Sequence, residues 1–466
     1  MKTKIFSHHF LLLFLCAVLS LNSCKKDIVD DIEPAFKTVD KYDYQVIHEW
    51  NTVWLEIERH AEGYRPGPVS NSLGYVGLAN YEACVAGMPE YASIAHLYSG
   101  LSIPKINDNQ EYHWPTVVNA VNNYLFSRLF PDVHPSQYNK IKALADKYDK
   151  QFLDESNQEV FLRSKNHGEV VASVVWEWMK TDPTTFDKYK NVFEDYKWED
   201  RFKKNGDWVA TYPGPGLGMF PYWGKGRTMA INADQKLCRP YSYYAPYSEN
   251  PTSGFYAQAV EVMAQNTPSL SYQTEWLGEF WSDDLLGLTF SPPSRWIAIA
   301  DQVYIKENAT LEQAIVANAK VGIALHDAGI ACWNSKYYYN LERPQTFINR
   351  LIDPSWTPNL DNPLTGDEGI TPSFPAYPSG HATFSASSAE ALASVFGYSY
   401  SMTDNCHKNR PEFSGYSRTF SSFYEMAQEN AWSRVPLGVH FRMDAEEGVR
   451  FGTEIGRAVN KLPWKK

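Results

Sequence analysis

Residues 374–384 (FPAYPSGHATF) combine the features of a helix start with a histidine, so they could bind an anion and move a proton. Pro378 favours an extended approach, Ser379 suits an N-cap, and helix-forming residues follow. The free N–H groups and the dipole of a first helical turn attract anions, and Gly380 would let an anion approach the backbone closely. His381 would stand at the edge of that site.

Two further segments in the last third of the chain carry cations, a histidine and a carboxylate. The first contains Lys336 and Arg343, and the second contains Arg434, His440 and Asp444. Each segment alone fits an ordinary role, because lysine and arginine usually lie on solvated surfaces and His440 with Asp444 could form an exposed i,i+4 pair. Their joint occurrence with Ser379-Gly380-His381 favours a functional role over these ordinary ones.

The three segments resemble the three-part signature of the type 2 phosphatidic acid phosphatase and vanadium haloperoxidase superfamily. The matching stretches are Lys336, six residues and Arg343-Pro344; then Pro378-Ser379-Gly380-His381; then Ser433-Arg434, five residues, His440, three residues and Asp444. Every signature residue is present with the internal spacing intact. The signature covers about a quarter of the chain.

This resemblance implies a pocket for a tetrahedral oxyanion, phosphate or vanadate. Its donors would be the side chains or N–H groups of Lys336, Arg343, Ser379, Gly380 and Arg434. His440 would reach the central atom from one axial side, and Asp444 would accept the other N–H of its ring and fix the tautomer. His381 would lie beside an apical oxygen as a general acid–base.

Members of the superfamily run two chemistries in such a pocket. In the phosphatases the axial histidine, here His440, becomes phosphorylated, and His381 would protonate the leaving group. In the haloperoxidases the same histidine coordinates the vanadium of a vanadate cofactor, and Lys336 would polarise the bound oxidant for attack by halide. The alternatives are a haloperoxidase acting on hydrogen peroxide and halide, a secreted acid phosphatase acting on phosphoesters, and a catalytically silent binding protein.

Residues outside the signature favour a member of the vanadium-dependent haloperoxidase family. Phe374 and the three residues after it are similar to the haloperoxidase form of the motif, and Phe374 and Trp333 would be aromatic walls of a halide site, with core packing as the alternative. The segment 280–284 (FWSDD) resembles one whose aspartate pairs with a vanadate-binding arginine, which would make Asp284 the partner of Arg434.

One stretch departs from the resemblance. Residues 337–342 differ from the corresponding residues of fungal and algal haloperoxidases. Within that stretch, Glu342 could offset part of the pocket's positive charge if its side chain points inward. The halide preference therefore stays open.

The first 24 residues have the pattern of an export signal. Lys2 and Lys4 precede an apolar stretch at 10–21 that is too short to span a membrane as a helix, and the stretch ends at Cys24. This resembles a bacterial lipoprotein signal peptide, which implies lipidation of Cys24 and a lipid anchor in the bacterial cell envelope, periplasmic or at the cell surface. Ordinary secretion with cleavage nearby is the alternative.

The net charge and the cysteine positions limit which partners and metal sites are expected. The net charge is −11 and no run of Lys or Arg exceeds a pair, so nucleic acid is not an expected partner. The four cysteines beyond the signal, Cys84, Cys238, Cys332 and Cys406, contain no C-x-x-C pair, so a zinc site is not expected. The export compartment permits disulfides, and their pairing stays open.

Helical periodicity dominates the chain, and strand signals are sparse. It predicts an all-α fold of two packed helical bundles with a long aromatic-rich loop region between them. The predicted organisation is a signal peptide (1–24), a flexible tether (25–43), an N-terminal bundle (44–185), the loop region (186–250) and a phosphatidic acid phosphatase type 2/haloperoxidase-like catalytic domain (251–462). We expect the loop region to lie over the core and to shape a pocket mouth.

Overall fold

The computed structural model describes residues 36–211, 216–265, 272–410 and 416–466. The predicted signal peptide with Cys24 and residues 212–215 of the loop region lie outside these ranges. Lipidation and the envelope location therefore stay predictions, as do the domain boundaries. Residues 37–466 form one compact unit.

The described chain is all-α, as predicted. Its α-helices are α1 (Gln45–Glu58), α2 (Gly67–Cys84), α3 (Trp114–Leu129), α4 (Pro135–Glu155), α5 (Gln158–Lys180), α6 (Gly254–Gln265), α7 (Tyr272–Phe280), α8 (Pro292–Glu307), α9 (Leu311–Tyr339), α10 (Pro344–Leu351), α11 (Gly380–Phe396), α12 (Phe423–Ser433) and α13 (Arg442–Asn460). Within the described ranges the sheet structure is limited to β1 (Met402–Asp404) and β2 (Arg418–Phe420), an antiparallel pair in which Met402 faces Phe420.

Helix α9 is the central element of the core. It begins with a capping box formed by Thr310 and Gln313 and ends at Asn340, which takes the left-handed conformation at φ 49°. The helix is long and apolar enough to cross a membrane by length and composition, but 94% of that apolar window is buried inside the protein. It is therefore the core helix that its apolar sequence predicts.

Both halves of the chain pack against α9. Helix α2 from the N-terminal half lies so close that a Cβ on Gly322 of α9 would come within 2.3 Å of the Leu73 carbonyl oxygen. Helices α11 and α13 from the C-terminal half also contact α9. The two predicted bundles consequently share one continuous hydrophobic core.

The last residues of the predicted tether (25–43), from residue 37 onward, pack against the folded body. Residues 39–41 form a 3-10 turn, the side chain of Val39 is fully buried, and the Trp114 indole donates to the Lys37 carbonyl over 3.0 Å. Leu311 N–H donates to the Tyr42 carbonyl over 2.8 Å. Residues 37–43 therefore belong to the folded body, because their backbone groups and an apolar side chain are used in packing.

The described parts of the aromatic-rich loop region, 186–211 and 216–250, contain short 3-10 turns joined by irregular chain. Trp208, Phe220 and Trp223 are buried in the main core. Trp208 N–H donates to the Asn340 carbonyl at the end of α9 over 2.7 Å. The region therefore packs on the C-terminal end of the central helix, where the signature residues begin.

The four described cysteines, Cys84, Cys238, Cys332 and Cys406, are free thiols in this structure. Three of them are buried, and burial raises the pKa of each thiol. They contribute to packing rather than to cross-links.

Candidate active site

The residues of the three signature segments lie together around one buried site, although five different elements supply them. They stand at the end of α9 (Lys336), just before α10 (Arg343), at the start of α11 (Ser379, Gly380 and His381), just after α12 (Arg434) and around the start of α13 (His440 and Asp444). All of these side chains are buried. The fold thus collects on one site the cations and histidines that the sequence singled out.

The backbone just before α11 fixes the first two cations. Lys336 Nζ donates to the carbonyls of Pro375 over 3.0 Å and Ala376 over 2.8 Å. Arg343 Nε donates to the Phe374 carbonyl over 2.9 Å. Because these carbonyls leave few free rotamers to either side chain, both cationic groups have defined positions.

Arg434 is held by the carboxylate that the resemblance implied. Its Nη2 donates to Asp284 Oδ2 over 2.6 Å. Its Nε and Nη1 have no hydrogen-bond partner, and neither has Nη2 of Arg343, although all three atoms are buried. Buried guanidinium N–H groups are nearly always paired, so these three donors fit an absent anion.

His440 is oriented by Asp444, one helical turn later. His440 Nδ1 lies 2.9 Å from Asp444 Oδ2, and its Nε2 lies 3.2 Å from Arg343 Nη1. Burial, followed by the positive charges of Arg343 and Lys336, holds the pKa of His440 well below its ordinary value. The ring is therefore neutral, with the proton on Nδ1 donated to Asp444 and a lone pair on Nε2.

Asp444 also joins the starts of two helices. Its carboxylate accepts from the Phe441 N–H over 3.1 Å, and its backbone carbonyl accepts from the Ser379 N–H over 2.9 Å. Ser379 is the N-cap of α11, as predicted, and its hydroxyl accepts from the Ala382 N–H over 3.4 Å, which leaves its own proton free to donate. The α11 start and the His440 loop therefore keep a fixed spacing.

His381 faces the segment 280–284. Its Nε2 lies 2.9 Å from the Ser282 carbonyl oxygen and 3.8 Å from Asp284 Oδ1. Since the carbonyl oxygen can only accept, Nε2 carries the proton and Nδ1 carries the lone pair. Burial and the nearby Arg434 lower the pKa of His381 to about 4.

The site carries an excess of positive charge. The cations Lys336, Arg343 and Arg434 face the carboxylates of Asp284 and Asp444. Burial lowers the pKa of Lys336 and lowers that of Arg343 to about 9, while burial raises the pKa of Asp444. A bound oxyanion would favour the charged forms of the cations and so raise the pKa values of Lys336 and Arg343 again.

A cavity of about 280 Å³ opens on this site. His381, Arg434, His440 and Asp284 lie on its polar side, and its other walls are formed by Trp333, Phe374, Phe384, Phe193, Met219, Leu285, Leu360 and Ile370, among others. The rings of Trp333 and Phe374 pack with centroids 4.9 Å apart. Both rings therefore pack in the core and also line the cavity. Core packing and a role as a wall of a halide site do not exclude each other.

Phe374 also contacts the cations. Lys336 Nζ lies 5.0 Å and Arg343 Cζ 4.9 Å from its ring centroid. Cation–π contact of this kind favours a fixed ring position beside the oxyanion site. The aromatic wall and the cationic wall of the cavity therefore meet at this residue.

Glu342 does not reduce the positive charge of the pocket as the sequence allowed. Its carboxylate accepts from Tyr247 Oη and from Arg350 Nη2, each over 2.9 Å. Burial raises the pKa of Glu342 to about 7. The side chain belongs to a separate polar cluster because its backbone direction turns it toward the loop region, whose Gly206 carbonyl accepts from the Glu342 N–H.

Several site residues have no signal in the sequence. Arg65, Phe193 and Met219 come from the N-terminal half and the loop region and line the cavity. Nothing in their local patterns distinguishes them, because their role depends only on where the loops cross α9. The sequence prediction expected the loop region to shape a pocket mouth, but it named site residues only in the last two-fifths of the chain and none of these three.

A buried charge cluster behind Asp284 was also missed. Arg295 donates to Asp283 over 3.1 Å, to Asp404 over 2.7 Å and to the Phe280 carbonyl over 3.0 Å. His407 Nε2 lies 3.0 Å from Asp283 Oδ1. The cluster fixes the segment 280–284, which contacts both His381 and Arg434; the only sequence signal was the Asp283-Asp284 pair.

Comparison with known proteins supports the resemblance. Residues 317–463 match the family described as the VCPO second helical-bundle domain. A vanadium chloroperoxidase from Curvularia inaequalis is 29% identical over 217 residues, 36% of this chain and 36% of the relative. The first bacterial vanadium-dependent iodoperoxidase is 28% identical, with a TM-score of 0.76 over 90% of this chain and 96% of that one.

The comparisons agree with one another: this chain is similar to vanadium-dependent haloperoxidases, and the family model places the match at residues 317–463.

Two further vanadium haloperoxidase structures share the fold. The holo-type and apo-type bacterial vanadium-dependent chloroperoxidases are each 15% identical to this chain, with TM-scores of 0.65 and 0.64 over 91% of it and 98% of theirs. At this identity they establish the helical architecture alone. The region that matches the family model, 317–463, contains every residue of the signature.

The residues present fit the vanadate that this family implies. The described ranges contain no group of three or more His, Cys, Asp or Glu side chains able to hold a metal cation. They do contain one neutral histidine beside three unpaired guanidinium nitrogens. That donor set suits an oxyanion bound through its oxygens and through one imidazole, rather than a bare cation.

Proposed function

We propose that this protein is a vanadium-dependent haloperoxidase that oxidises halide with hydrogen peroxide to a hypohalous species. One observation carries the proposal: the neutral imidazole of His440 stands beside three buried, unpaired guanidinium nitrogens in a cavity with aromatic walls. Neither an inert scaffold nor a cation site requires that combination.

His440 would bind the vanadium through Nε2, while Asp444 keeps the ring neutral and correctly turned. The oxygens of vanadate would be held by the remaining donors of the site, which are Lys336, Arg343, Ser379, Gly380 and Arg434. When bound, vanadate supplies a Lewis-acid centre that activates hydrogen peroxide for oxygen transfer to halide. Asp284 positions Arg434 and does not itself need to touch the anion.

His381 would move the protons that peroxide chemistry requires. Its Nε2–H is committed to the Ser282 carbonyl, so Nδ1 is the atom that takes up and returns a proton. Its lowered pKa keeps Nδ1 free to accept. Lys336 would donate its remaining N–H to an oxygen of the bound anion and stabilise negative charge there.

The halide would meet the aromatic wall formed by Trp333 and Phe374. We propose iodide as the first halide to test, because the bacterial structure that is 28% identical over most of both chains is an iodoperoxidase. A large, polarisable and weakly hydrated anion also suits a cavity that is apolar on one side and cationic on the other.

The test is to assay the purified protein for halide oxidation by hydrogen peroxide, with and without added vanadate. We expect vanadate-dependent oxidation, lost in His440→Ala and kept in His96→Ala, whose ring is on the surface. The same preparations are offered a phosphomonoester. Hydrolysis of that ester, inhibited by vanadate and without halide oxidation, would replace the haloperoxidase proposal with a phosphatase acting through His440.

A further inference from the structure

Met219 is fixed in the wall of the catalytic cavity. It lines the same cavity as Arg434, His440 and Trp333. Its N–H donates to the Ser373 carbonyl over 2.8 Å, and its carbonyl accepts from Trp333 Nε1 over 3.2 Å and from Tyr337 Oη over 2.7 Å. These three hydrogen bonds hold the backbone of Met219 at the wall of the cavity.

Among the methionines of the described residues, accessibility distinguishes two. Met219 and Met263 are partly exposed, whereas the others, Met88, Met179, Met229, Met402, Met426 and Met443, are buried. Met263 lies on α6 and is not among the residues that line the cavity. The two residues therefore form a matched pair of partly exposed methionines, one that lines the catalytic cavity and one that does not.

A thioether on this wall is exposed to whatever oxidant the cavity produces. Methionine is oxidised readily to its sulfoxide, and enzymes restore the thioether. The other oxidisable side chain of the wall, Trp333, is only 1% exposed, so its indole is shielded by packing. Met219, which is partly exposed, is the more accessible residue of the two.

We propose that, given the haloperoxidase function proposed above, Met219 is a self-modification site that is oxidised to methionine sulfoxide by hypohalous acid formed in the cavity. The sulfur attacks the oxygen-bearing halogen compound, the oxygen is transferred to sulfur, and halide and a proton are released. Sulfur loses two electrons and the halogen gains two, so no further reactant is needed.

The modification changes the wall where organic acceptors would lie. A sulfoxide is polar and a strong hydrogen-bond acceptor, whereas Phe193, Leu285, Leu360 and Ile370 make that side of the cavity apolar. Oxidation of Met219 therefore makes the cavity less favourable to apolar molecules. Since sulfoxides are reducible, the change is reversible.

The experiment compares oxygen uptake at Met219 and Met263 in one sample by peptide mass spectrometry. The protein is supplied with vanadate, hydrogen peroxide and iodide or bromide, and formation of oxidised halide is followed in the same tube. During turnover, we expect oxidation at Met219 to exceed that at Met263 on the order of tenfold, because oxidant formed beside Met219 meets it before dilution. With reagent hypohalous acid added from solution, the ratio should fall toward one.

Two variants test whether the oxygen uptake measured by mass spectrometry occurs at Met219. Met219→Leu should remove the oxygen from its peptide, and Met263→Leu should leave oxidation at Met219 unchanged. Halide oxidation with equal oxygen uptake at both methionines, or uptake at Met219 by peroxide without halide, would overturn the self-modification site alone. Absence of halide oxidation would overturn the proposed function and the modification with it, so the two failures are distinguishable.

Discussion

Asp284 and Arg434 lie 150 residues apart in the chain and share a hydrogen bond of 2.6 Å between Oδ2 and Nη2. The Arg434 side chain is 1% exposed and that of Asp284 is 17% exposed. This contact uses one edge of the guanidinium and leaves Nε and Nη1 without partners. The carboxylate of Asp284 thereby holds the guanidinium so that the free N–H groups of Arg434 face the site, and it leaves those N–H groups available.

Replacing Asp284 should weaken anion binding without abolishing it. In Asp284→Asn the guanidinium loses its charged partner and samples other orientations, so we expect vanadate affinity, measured by titration calorimetry, to fall about 10-fold to 100-fold. Asp146→Asn, which alters an exposed pair with Lys142, is the matched control and should keep wild-type affinity. Equal affinities in both variants would show that Asp284 does not orient Arg434.

His440 and Asp444 should give graded losses. His440→Ala removes the imidazole and should leave no measurable halide oxidation. Asp444→Asn keeps a hydrogen-bond acceptor for Nδ1 but removes the charge, so vanadate affinity should fall about 10-fold to 100-fold. Calorimetry with vanadate and steady-state halide oxidation measure the two effects. A His440→Ala protein with near wild-type turnover would refute the assignment of the site.

The charge cluster around Arg295 should matter for stability. Arg295→Met leaves the buried carboxylates of Asp283 and Asp404 without their cation, and loss of one partner of a buried ion pair costs about 3–5 kcal/mol. Burial alone would raise the pKa of Asp404, but Arg295 outweighs it and lowers that pKa to about 2. Urea unfolding measures the loss. Arg457→Met, at an exposed position, should change stability by less than about 1 kcal/mol.

Gly448 should be needed for the spacing between α13 and α11. A Cβ at this position would lie 2.6 Å from Ala382 Cβ and 2.9 Å from the Ser379 carbonyl oxygen. Gly448→Ala should therefore destabilise the protein by about 1–3 kcal/mol and weaken vanadate binding, because the helix start that carries Gly380 must shift. Gly254→Ala is the control, since its Cβ would meet only Ala245, at 3.9 Å. Unfolding curves and calorimetry report the two effects, and equal behaviour of the two variants would contradict the prediction.

His381 should make the anion-free protein sensitive to acid. Its pKa is about 4 in the folded protein against an ordinary 6.5, so between these values the unfolded chain binds more protons than the folded one. The contribution of neutral His381 to the free energy of unfolding is thus fully present above about pH 6.5, and it is lost as the pH falls toward about 4. His381→Gln should lose less stability than the wild type between about pH 7 and about pH 5 in urea unfolding. Equal losses of stability in the variant and the wild type over this pH range would contradict the assignment of His381 as buried and neutral.

The sequence alone determined the local chemistry of the site. Ser379 as N-cap and the helix that begins directly after it follow from propensities acting over a few residues. The spacings of the signature indicated the resemblance to vanadium haloperoxidases, and that resemblance indicated Asp284 as the partner of Arg434. These features are predictable because each depends on neighbouring residues or on a fixed motif.

Tertiary structure decided which side chains face the cavity and what charge they carry. Only the packed fold brings Met219 and Arg65 to the wall and turns Glu342 away toward Arg350. It also leaves three guanidinium nitrogens of Arg343 and Arg434 without hydrogen-bond partners. The lowered pKa values of His381 and His440 likewise arise from burial beside cations that are distant in sequence. Desolvation and side-chain direction depend on non-local packing, which no single stretch of sequence encodes.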